Sequence, residues 1–194
     1  CNVIDTLPCA LGRAVAMVEP PTPGRTVAAL DWGYRTPLFV LIRDGRPVFA
    51  RTLKKCGGEP IVEQVQTQLN VPASDVHELL LARARTPDSQ HGLTGLSELL
   101  AACAVAAQKR LVEELERTLS YLRGQPGELD PQRLWLFGCG ALLPGSGEQI
   151  TRACGLEAAV WHLGAASRDP AQPGDAMHAL LGPAIGLSAL GGSV

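Results

Sequence analysis

The sequence predicts an α/β domain in which a mixed β-sheet is flanked by helices and carries a small inserted lobe. Three observations favour this class. Residues 27–53 have the pattern of a three-strand meander, an apolar strand at 133–137 runs into a glycine-rich turn, and residues 94–123 have helical periodicity. Strand-length apolar runs that alternate with helices are typical of a sheet covered by helices.

The composition is that of an ordinary globular domain. A chain of 194 residues is long enough for one domain with a full core. Its net charge of -2 argues against partners that are nucleic acids or anionic membranes. No apolar run approaches the roughly 20 residues that a membrane-spanning helix needs.

The six cysteines are scattered and form no C-x-x-C pair or zinc-ligand spacing with histidine. We therefore expect reduced core thiols in a cytoplasmic protein. The chain opens on Cys1 without an initiator methionine or a signal-peptide pattern. We expect it to be part of a longer protein.

The first predicted elements are a short strand at 1–4 and a helix at 9–18. Asp5 or Thr6 is expected to cap this helix, since both side chains accept hydrogen bonds from free helical N–H groups. The proline-rich residues 19–24 are predicted to form a loop.

The meander carries the first candidate site, in the turn at residues 31–36. Asp31 ends an apolar run, and Gly33 and Thr36 follow it in a D-x-G-x-x-T pattern. Glycine lets the backbone approach a ligand, turn N–H groups can face an anion, and a carboxylate can hold hydrated Mg²⁺ beside phosphates. The pattern therefore indicates a phosphate and metal site. The alternative is a hairpin turn without a ligand, because aspartate and glycine also occur in turns for conformational reasons.

Two glycines, Gly57 and Gly58, precede a predicted helix at 61–69. Such a helix start leaves free N–H groups at the positive end of the helix dipole, which suits an anion. A plain helix entry explains the pair equally well.

Residues 60–107 are predicted to form the small inserted lobe. A short helix that ends at Arg83 and a polar loop at 86–92 suit a peripheral position. His77 and His91 lie in this stretch without an acidic or cysteine partner at useful spacing. We expect both to be surface residues.

The helix predicted at 94–123 has apolar residues at spacings of three and four along one face. Glu113, Arg117 and Ser120 fall on its other faces. The spacing from Glu113 to Arg117 predicts an ion pair between them. Gly124 is expected to end the helix.

The apolar strand at 133–137 leads into a glycine-rich turn at 138–147 and then a helix at 148–154. This order is typical of α/β proteins that bind nucleotides at the carboxyl ends of strands. It is not the dinucleotide fingerprint, because the third glycine is misplaced and no acidic strand end follows. The last predicted elements are a strand at 155–161 and a helix at 177–190 that makes close helix contacts through its glycines.

Five motifs in one order extend over nearly the whole chain. They are V-I-D and A-L-x-R-A within 3–14, D-x-G-x-x-T with its hairpin and paired glycines within 31–58, E-E-x-E-R-T-L-S-Y at 113–121, L-F-G-x-G-A-x-L-P-G at 136–145, and A-I-G-L at 184–187. In this order they resemble the second half of an actin-like ATPase (ribonuclease H-like) fold. The chain is most similar to the PilM-type proteins of the type IV pilus and type II secretion inner-membrane platform, which are related to FtsA.

The resemblance implies a role for each turn. Asp31, Gly33 and Thr36 would form the family's second phosphate motif, with Asp31 near the water shell of Mg²⁺. Gly138 and Gly140 would lie in its adenosine motif.

The resemblance also implies that Glu113, Arg117 and Ser120 offer a helix face to adenine and ribose. Two residues depart from the family's pattern. Trp32 replaces a small aliphatic residue and Cys139 stands where a glycine is more usual, so both would narrow or fill a nucleotide pocket.

By this resemblance the chain is the C-terminal half of a scaffold protein, with a core of residues 1–59 and 108–194 and the lobe at 60–107. The protein would bind ATP and Mg²⁺ when the preceding half supplies the first phosphate motif, and would be at most a weak ATPase. It would lie in the cytoplasm, peripheral to the inner membrane, with PilN-like platform proteins as partners. The resemblance also allows a homo-oligomer.

Two other functions stay open. A phosphotransferase of the same superfamily, such as a sugar kinase, would need a catalytic acid in the preceding half. A structural module with the same fold would bind no nucleotide. No residue is predicted to be catalytic, because the histidines lack orienting partners and Asp31 is better suited to a metal than to activating water.

Overall fold

The computed structural model describes residues 5–85, 94–127, 129–164 and 175–192. These residues form five strands and six α-helices: α1 (Leu7–Val18), β1 (Thr26–Asp31), β2 (Leu38–Arg43), β3 (Arg46–Thr52), α2 (Glu59–Leu69), α3 (Ala73–Arg85), α4 (Thr94–Arg123), β4 (Arg133–Phe137), α5 (Ser146–Cys154), β5 (Glu157–Val160) and α6 (Asp175–Ser188). The predicted α/β class is confirmed.

The strands form one mixed sheet in the order β3-β2-β1-β4-β5. The meander supplies the antiparallel part, since β2 pairs with both β1 and β3. β4 and β5 continue the sheet in parallel with β1. The tight turn between β2 and β3 places Asp44 and Gly45 in the left-handed region, with φ of 52° and 75°, as the Asp-Gly hairpin signal predicts.

The two faces of the sheet belong to two hydrophobic clusters. Along β1, Ala28 and Leu30 belong to the larger cluster, whereas Val27 and Ala29 belong to the smaller one on the opposite face. β1 is therefore buried on both sides, which explains why its sequence is a continuous apolar run. Helices α2 to α5 cover the larger cluster, and α1 packs on the other face. Helix α6 contributes to both clusters, through Ala179 and Ile185.

Helices from the predicted lobe share the core of the sheet. Val65 of α2, Val76 of α3 and Leu100 of α4 are buried in the same cluster as Leu30 of β1. Their burial ties the helices between residues 60 and 107 to the sheet. The boundary between a core and a lobe remains a prediction.

The helix α6 packs closely through its glycines, as predicted. A Cβ atom at Gly186 would lie 2.1 Å from the carbonyl oxygen of Ala10 in α1. A Cβ atom at Gly182 would lie 2.4 Å from the ring of Phe137. Any side chain at either position would push α6 away from its neighbours.

Several predicted boundaries differ from the structure. Helix α1 begins at Leu7, and its N-cap residue Thr6 makes no side-chain cap hydrogen bond. The predicted side-chain cap is therefore wrong: the Asp5 carboxylate accepts the Thr6 N–H at 2.9 Å and pairs with Arg13. Helix α5 begins at Ser146, earlier than predicted. The predicted strand at 1–4 and loop at 86–92, with His91, lie outside the described residues.

Cysteines 56, 103 and 154 are buried free thiols, as predicted, whereas cysteines 9 and 139 are free and partly exposed. No helix within the described ranges is both long enough and apolar enough to cross a bilayer.

Candidate functional site

The two predicted turns lie side by side at one edge of the sheet. β1 and β4 are parallel neighbours, and their last residues, Asp31 and Phe137, are register partners. The carboxyl ends of both strands therefore meet at the same edge. We call residues 31–36 the first turn and residues 138–145 the second turn.

Backbone hydrogen bonds join the two turns directly. The Trp32 N–H donates to the carbonyl of Phe137 at 2.8 Å, and the Gly140 N–H donates to the carbonyl of Trp32 at 3.0 Å. These bonds extend the parallel pairing beyond the last strand residues. The turns are thus held as one unit.

Gly138 sits against the carboxylate of Asp31. Its φ is +81°, and a Cβ atom there would lie 2.8 Å from Asp31 Oδ1 and 2.6 Å from the carbonyl oxygen of Trp32. The Gly138 N–H donates to the carbonyl of Ala179 in α6 at 2.9 Å. Only glycine fits this position without moving the first turn.

The Asp31 carboxylate is the charged group at this junction. It accepts no hydrogen bond from the residues that the structure describes. Burial raises the pKa of Asp31 above its ordinary value of 3.8, because desolvation disfavours the charged form. A partly buried carboxylate without a donor is suited to a cation or to the water shell of a metal.

Asp31 does not belong to a ready-made cluster of metal-binding side chains in the part of the chain that the structure describes. Among the described residues, no group of three or more His, Cys, Asp or Glu side chains could hold a metal ion. Mg²⁺ commonly binds through one carboxylate, several waters and substrate phosphates. The lone Asp31 carboxylate fits that mode.

Trp32 is fully buried beneath the second turn. Its indole N–H donates to the carbonyl of Cys56 at 2.9 Å. A Cβ atom at Gly140 would lie 2.1 Å from the indole ring, so the ring packs directly under that glycine. Trp32 does not line the cavities described below. Its ring belongs to the core, where it supports the second turn.

The paired glycines join the start of α2 to the first turn. The Gly58 N–H donates to the carbonyl of Gly33 at 3.2 Å, and the Glu59 N–H donates to that of Tyr34 at 2.8 Å. A Cβ atom at Gly57 would lie 2.2 Å from the Tyr34 carbonyl oxygen. Since these helix N–H groups are already bound, the plain helix entry is favoured over the anion contact.

Gly33 and Thr36 lie on the accessible side of the first turn. A Cβ atom at Gly33 would have no atom within 4 Å, and Thr36 is exposed. The backbone of the first turn is therefore open to a ligand at Gly33.

Two adjoining cavities, of about 290 and 100 Å³, open beside the two turns on the α3 side. Both are lined by His77, Leu80, Cys139 and Leu143. The smaller cavity also reaches Tyr34 of the first turn. A nucleobase held by the turns would find an apolar enclosure here.

An aromatic pair stands at this cavity. The rings of Tyr34 and His77 meet edge to face, with centroids 5.5 Å apart. His77 is exposed, as predicted, but its place beside the first turn was missed. No sequence signal links it to Tyr34, because the contact depends on how α3 packs.

The three residues predicted to meet adenine and ribose lie on α4. Glu113, Arg117 and Ser120 are all exposed. Gln108 of α4 contacts the second turn, where its side-chain amide donates a 3.4 Å hydrogen bond to the Pro144 carbonyl. Because an α-helix rises 1.5 Å per residue, Glu113 lies about 8 Å and Ser120 about 18 Å beyond Gln108 along the helix axis.

The predicted ion pair between Glu113 and Arg117 is wrong. Arg117 binds Glu114 instead, with 2.5 Å between Nη1 and Oε1. Glu114 also binds Arg51 of β3 at 2.9 Å, so this carboxylate is held where Arg117 can reach it. The implied role of Glu113, Arg117 and Ser120 in nucleotide binding remains a prediction.

Comparisons with solved structures identify the fold. No protein-family model matches the sequence, and no curated protein is significantly similar to it. A chain of the "PilM-PilN type IV pilus biogenesis complex" matches with a TM-score of 0.71 and 21% identity, over 98% of this chain and 53% of that one. Ta0583, an archaeal actin homolog, matches with a TM-score of 0.61 and 16% identity, over 97% and 54%. MreB 5 of Spiroplasma citri bound to AMPPNP matches with a TM-score of 0.59 and 17% identity, over 95% and 56%.

The chain therefore has an actin-like fold. It fits the PilM-type form of that fold, as the sequence motifs predict. It spans about half the length of each of these solved chains.

Proposed function

We propose that this chain is the C-terminal half of a PilM-like nucleotide-binding scaffold protein of type IV pilus or type II secretion assembly. One observation carries the proposal: backbone hydrogen bonds join the first turn, which carries the Asp31 carboxylate, to the glycine-rich second turn at the carboxyl ends of β1 and β4. α/β proteins bind nucleotides at such edges.

In this proposal each part of the site has a physical task. Asp31 holds the water shell of Mg²⁺, and the open backbone at Gly33 and Thr36 lies along the phosphates. Gly138 and Gly140 let the second turn approach the nucleoside closely. The metal, when bound, neutralises phosphate charge. The chain's own task is to bind and orient the nucleotide, with at most weak ATPase activity.

The proposed partners follow from the PilM–PilN likeness. A PilN-like protein of the inner-membrane platform would bind the complete scaffold, which would lie in the cytoplasm at the inner membrane. Its function would then be assembly that depends on nucleotide state.

A structural module without nucleotide is the second candidate. The N–H groups of Gly58 and Gly140 already donate to carbonyls of the first turn and are not free to bind phosphates. This observation favours a fold that holds itself together without a ligand.

A binding titration separates the two candidates. The longest natural chain that contains this sequence is titrated with a non-hydrolysable ATP analogue, with and without Mg²⁺. We expect saturable binding that weakens when Mg²⁺ is removed. Absence of saturable binding, together with retained binding of a PilN-like partner, would leave only the structural module.

A further inference from the structure

The two outer edges of the sheet, formed by β3 and β5, are covered to different degrees. At the β5 edge, the Ala158 N–H donates to the hydroxyl of Thr151 in α5 at 3.0 Å. A Cβ atom at Gly147 of α5 would lie 3.1 Å from the Ala158 carbonyl oxygen. Helix α5 therefore covers backbone groups of β5 that could otherwise pair with another strand.

The outer edge of β3 is open. The Leu53 N–H donates to the Pro37 carbonyl at 2.8 Å, on the β2 side. Since N–H groups point alternately to the two sides of a strand, those of Ala50 and Thr52 face away from β2. In the part of the chain that the structure describes, no strand pairs with this edge. Its backbone groups can therefore accept an added strand.

Apolar side chains flank this open edge on both faces of the sheet. On one face, Val48 of β3 is 50% exposed. On the other face, Tyr121 of α4 is 54% exposed, and its ring lies 6.1 Å from that of Phe49. The side chains of an added strand alternate between the two faces. Such a strand would therefore cover Val48 and Tyr121 together.

The charges along the open edge are positive. β3 contains no acidic residue, and the exposed cations Arg46 and Lys54 lie at its two ends. On the α4 side, Arg51 and Arg117 share the carboxylate of Glu114, so this group of three side chains keeps one positive charge. The edge thus favours a segment with acidic residues.

A second copy of this chain would fit the edge poorly. If two β3 strands paired in antiparallel fashion about Ala50, Arg46 of each copy would lie opposite Lys54 of the other. Like charges directly opposite each other destabilise a strand pair. The charges therefore oppose self-association and leave the edge available to a different protein.

We propose that the outer edge of β3 is a docking site for an extended, acidic segment of a partner protein, which binds by adding a strand to the sheet. Backbone hydrogen bonds to Ala50 and Thr52 would supply affinity, and the cations at the two ends would select acidic residues. The inference is independent of the proposed nucleotide site.

The test uses the longest natural chain that contains this sequence and a fluorescent probe peptide of nine residues. The probe has glutamates at both ends and alternating valine and threonine between them. We expect saturable binding that weakens as salt is added, and slower hydrogen exchange at the Ala50 and Thr52 amides. Absence of binding, or binding without this protection, would overturn the inference.

A matched probe separates strand addition from simple charge attraction. It carries N-methyl groups on its central residues, which keep the charges but remove the N–H donors. We expect it to bind at least about tenfold more weakly, because several backbone hydrogen bonds are lost. Equal affinity for the two probes would contradict strand addition.

Variants of the chain test the role of its cations. Arg46→Glu and Lys54→Glu should each weaken binding of the unmethylated probe several-fold, and the exposure of both residues makes the changes compatible with folding. Arg152→Glu is the matched control, because it changes the net charge equally but lies on α5, beside the opposite edge. It should leave the affinity nearly unchanged. An equal loss in all three variants would show that the probe responds only to net charge, and the docking site would be wrong.

Discussion

The variant Gly140→Ala is expected to lower the free energy of unfolding by about 1–3 kcal/mol, the usual cost of overpacking a core. The added methyl would stand 2.1 Å from the buried indole of Trp32. That ring cannot move aside easily, because its N–H is bound to the Cys56 carbonyl. Urea denaturation measures the change. Gly33→Ala is the control, since its methyl enters open space.

A double-mutant cycle tests the cause of that loss. Trp32→Leu removes the ring under Gly140 and is itself costly, because it leaves a cavity and an unpaired carbonyl. In that background Gly140→Ala should cost less, with a coupling of about 0.5–3 kcal/mol between the two positions. An equal cost in both backgrounds would show that the indole does not support the second turn.

The variant Asp31→Asn is expected to weaken binding of the ATP analogue with Mg²⁺ by about 10- to 150-fold. A hydrogen bond to a charged group contributes about 1.5–3 kcal/mol, and about 1.4 kcal/mol corresponds to tenfold. The amide keeps the shape of the side chain and removes its charge. Binding measured without Mg²⁺ should change much less. Equal losses with and without the metal would contradict the metal role.

The same variant should make the fold more stable at neutral pH. Burial raises the pKa of Asp31 above 3.8, so the folded chain binds this proton more tightly than the unfolded chain does. Ionisation of Asp31 therefore lowers the free energy of unfolding of the natural chain as the pH rises from about 4 through the raised pKa. Asparagine does not ionise. The difference in the free energy of unfolding between the variant and the natural chain should therefore grow over this pH range, in favour of the variant. Loss of binding together with a gain in stability excludes simple unfolding as the cause.

The sheet could be predicted because its signals are local. β1 and β4 are short apolar runs buried on both faces, and the Asp-Gly turn fixes the β2–β3 hairpin. The adjacency of the two turns follows from that topology, since parallel neighbouring strands end at the same edge.

Other parts of the site depend on packing that the sequence does not encode locally. The pairing of Tyr34 with His77 requires α3 to pack beside the first turn. Arg117 meets Glu114 because Arg51 of β3 holds that carboxylate. The position of Trp32 could not be assigned either, since an indole at the end of β1 fits both a ligand cleft and the core.

If the two turns and the adjoining cavities form one nucleotide site, bound nucleotide shields Cys139, and thiol labelling measures that shielding. Cys139 is the probe, because it lines both cavities and is partly exposed. Cys9 is the control, because it is also partly exposed but lies on α1, on the other face of the sheet. Burial raises the pKa of the Cys139 thiol, so labelling is done at mildly alkaline pH and followed residue by residue with mass spectrometry. With the ATP analogue and Mg²⁺ at saturation, we predict that alkylation of Cys139 slows several-fold while that of Cys9 stays the same. Unchanged labelling of Cys139 at saturating nucleotide would show that the turns and the cavities do not form a nucleotide site.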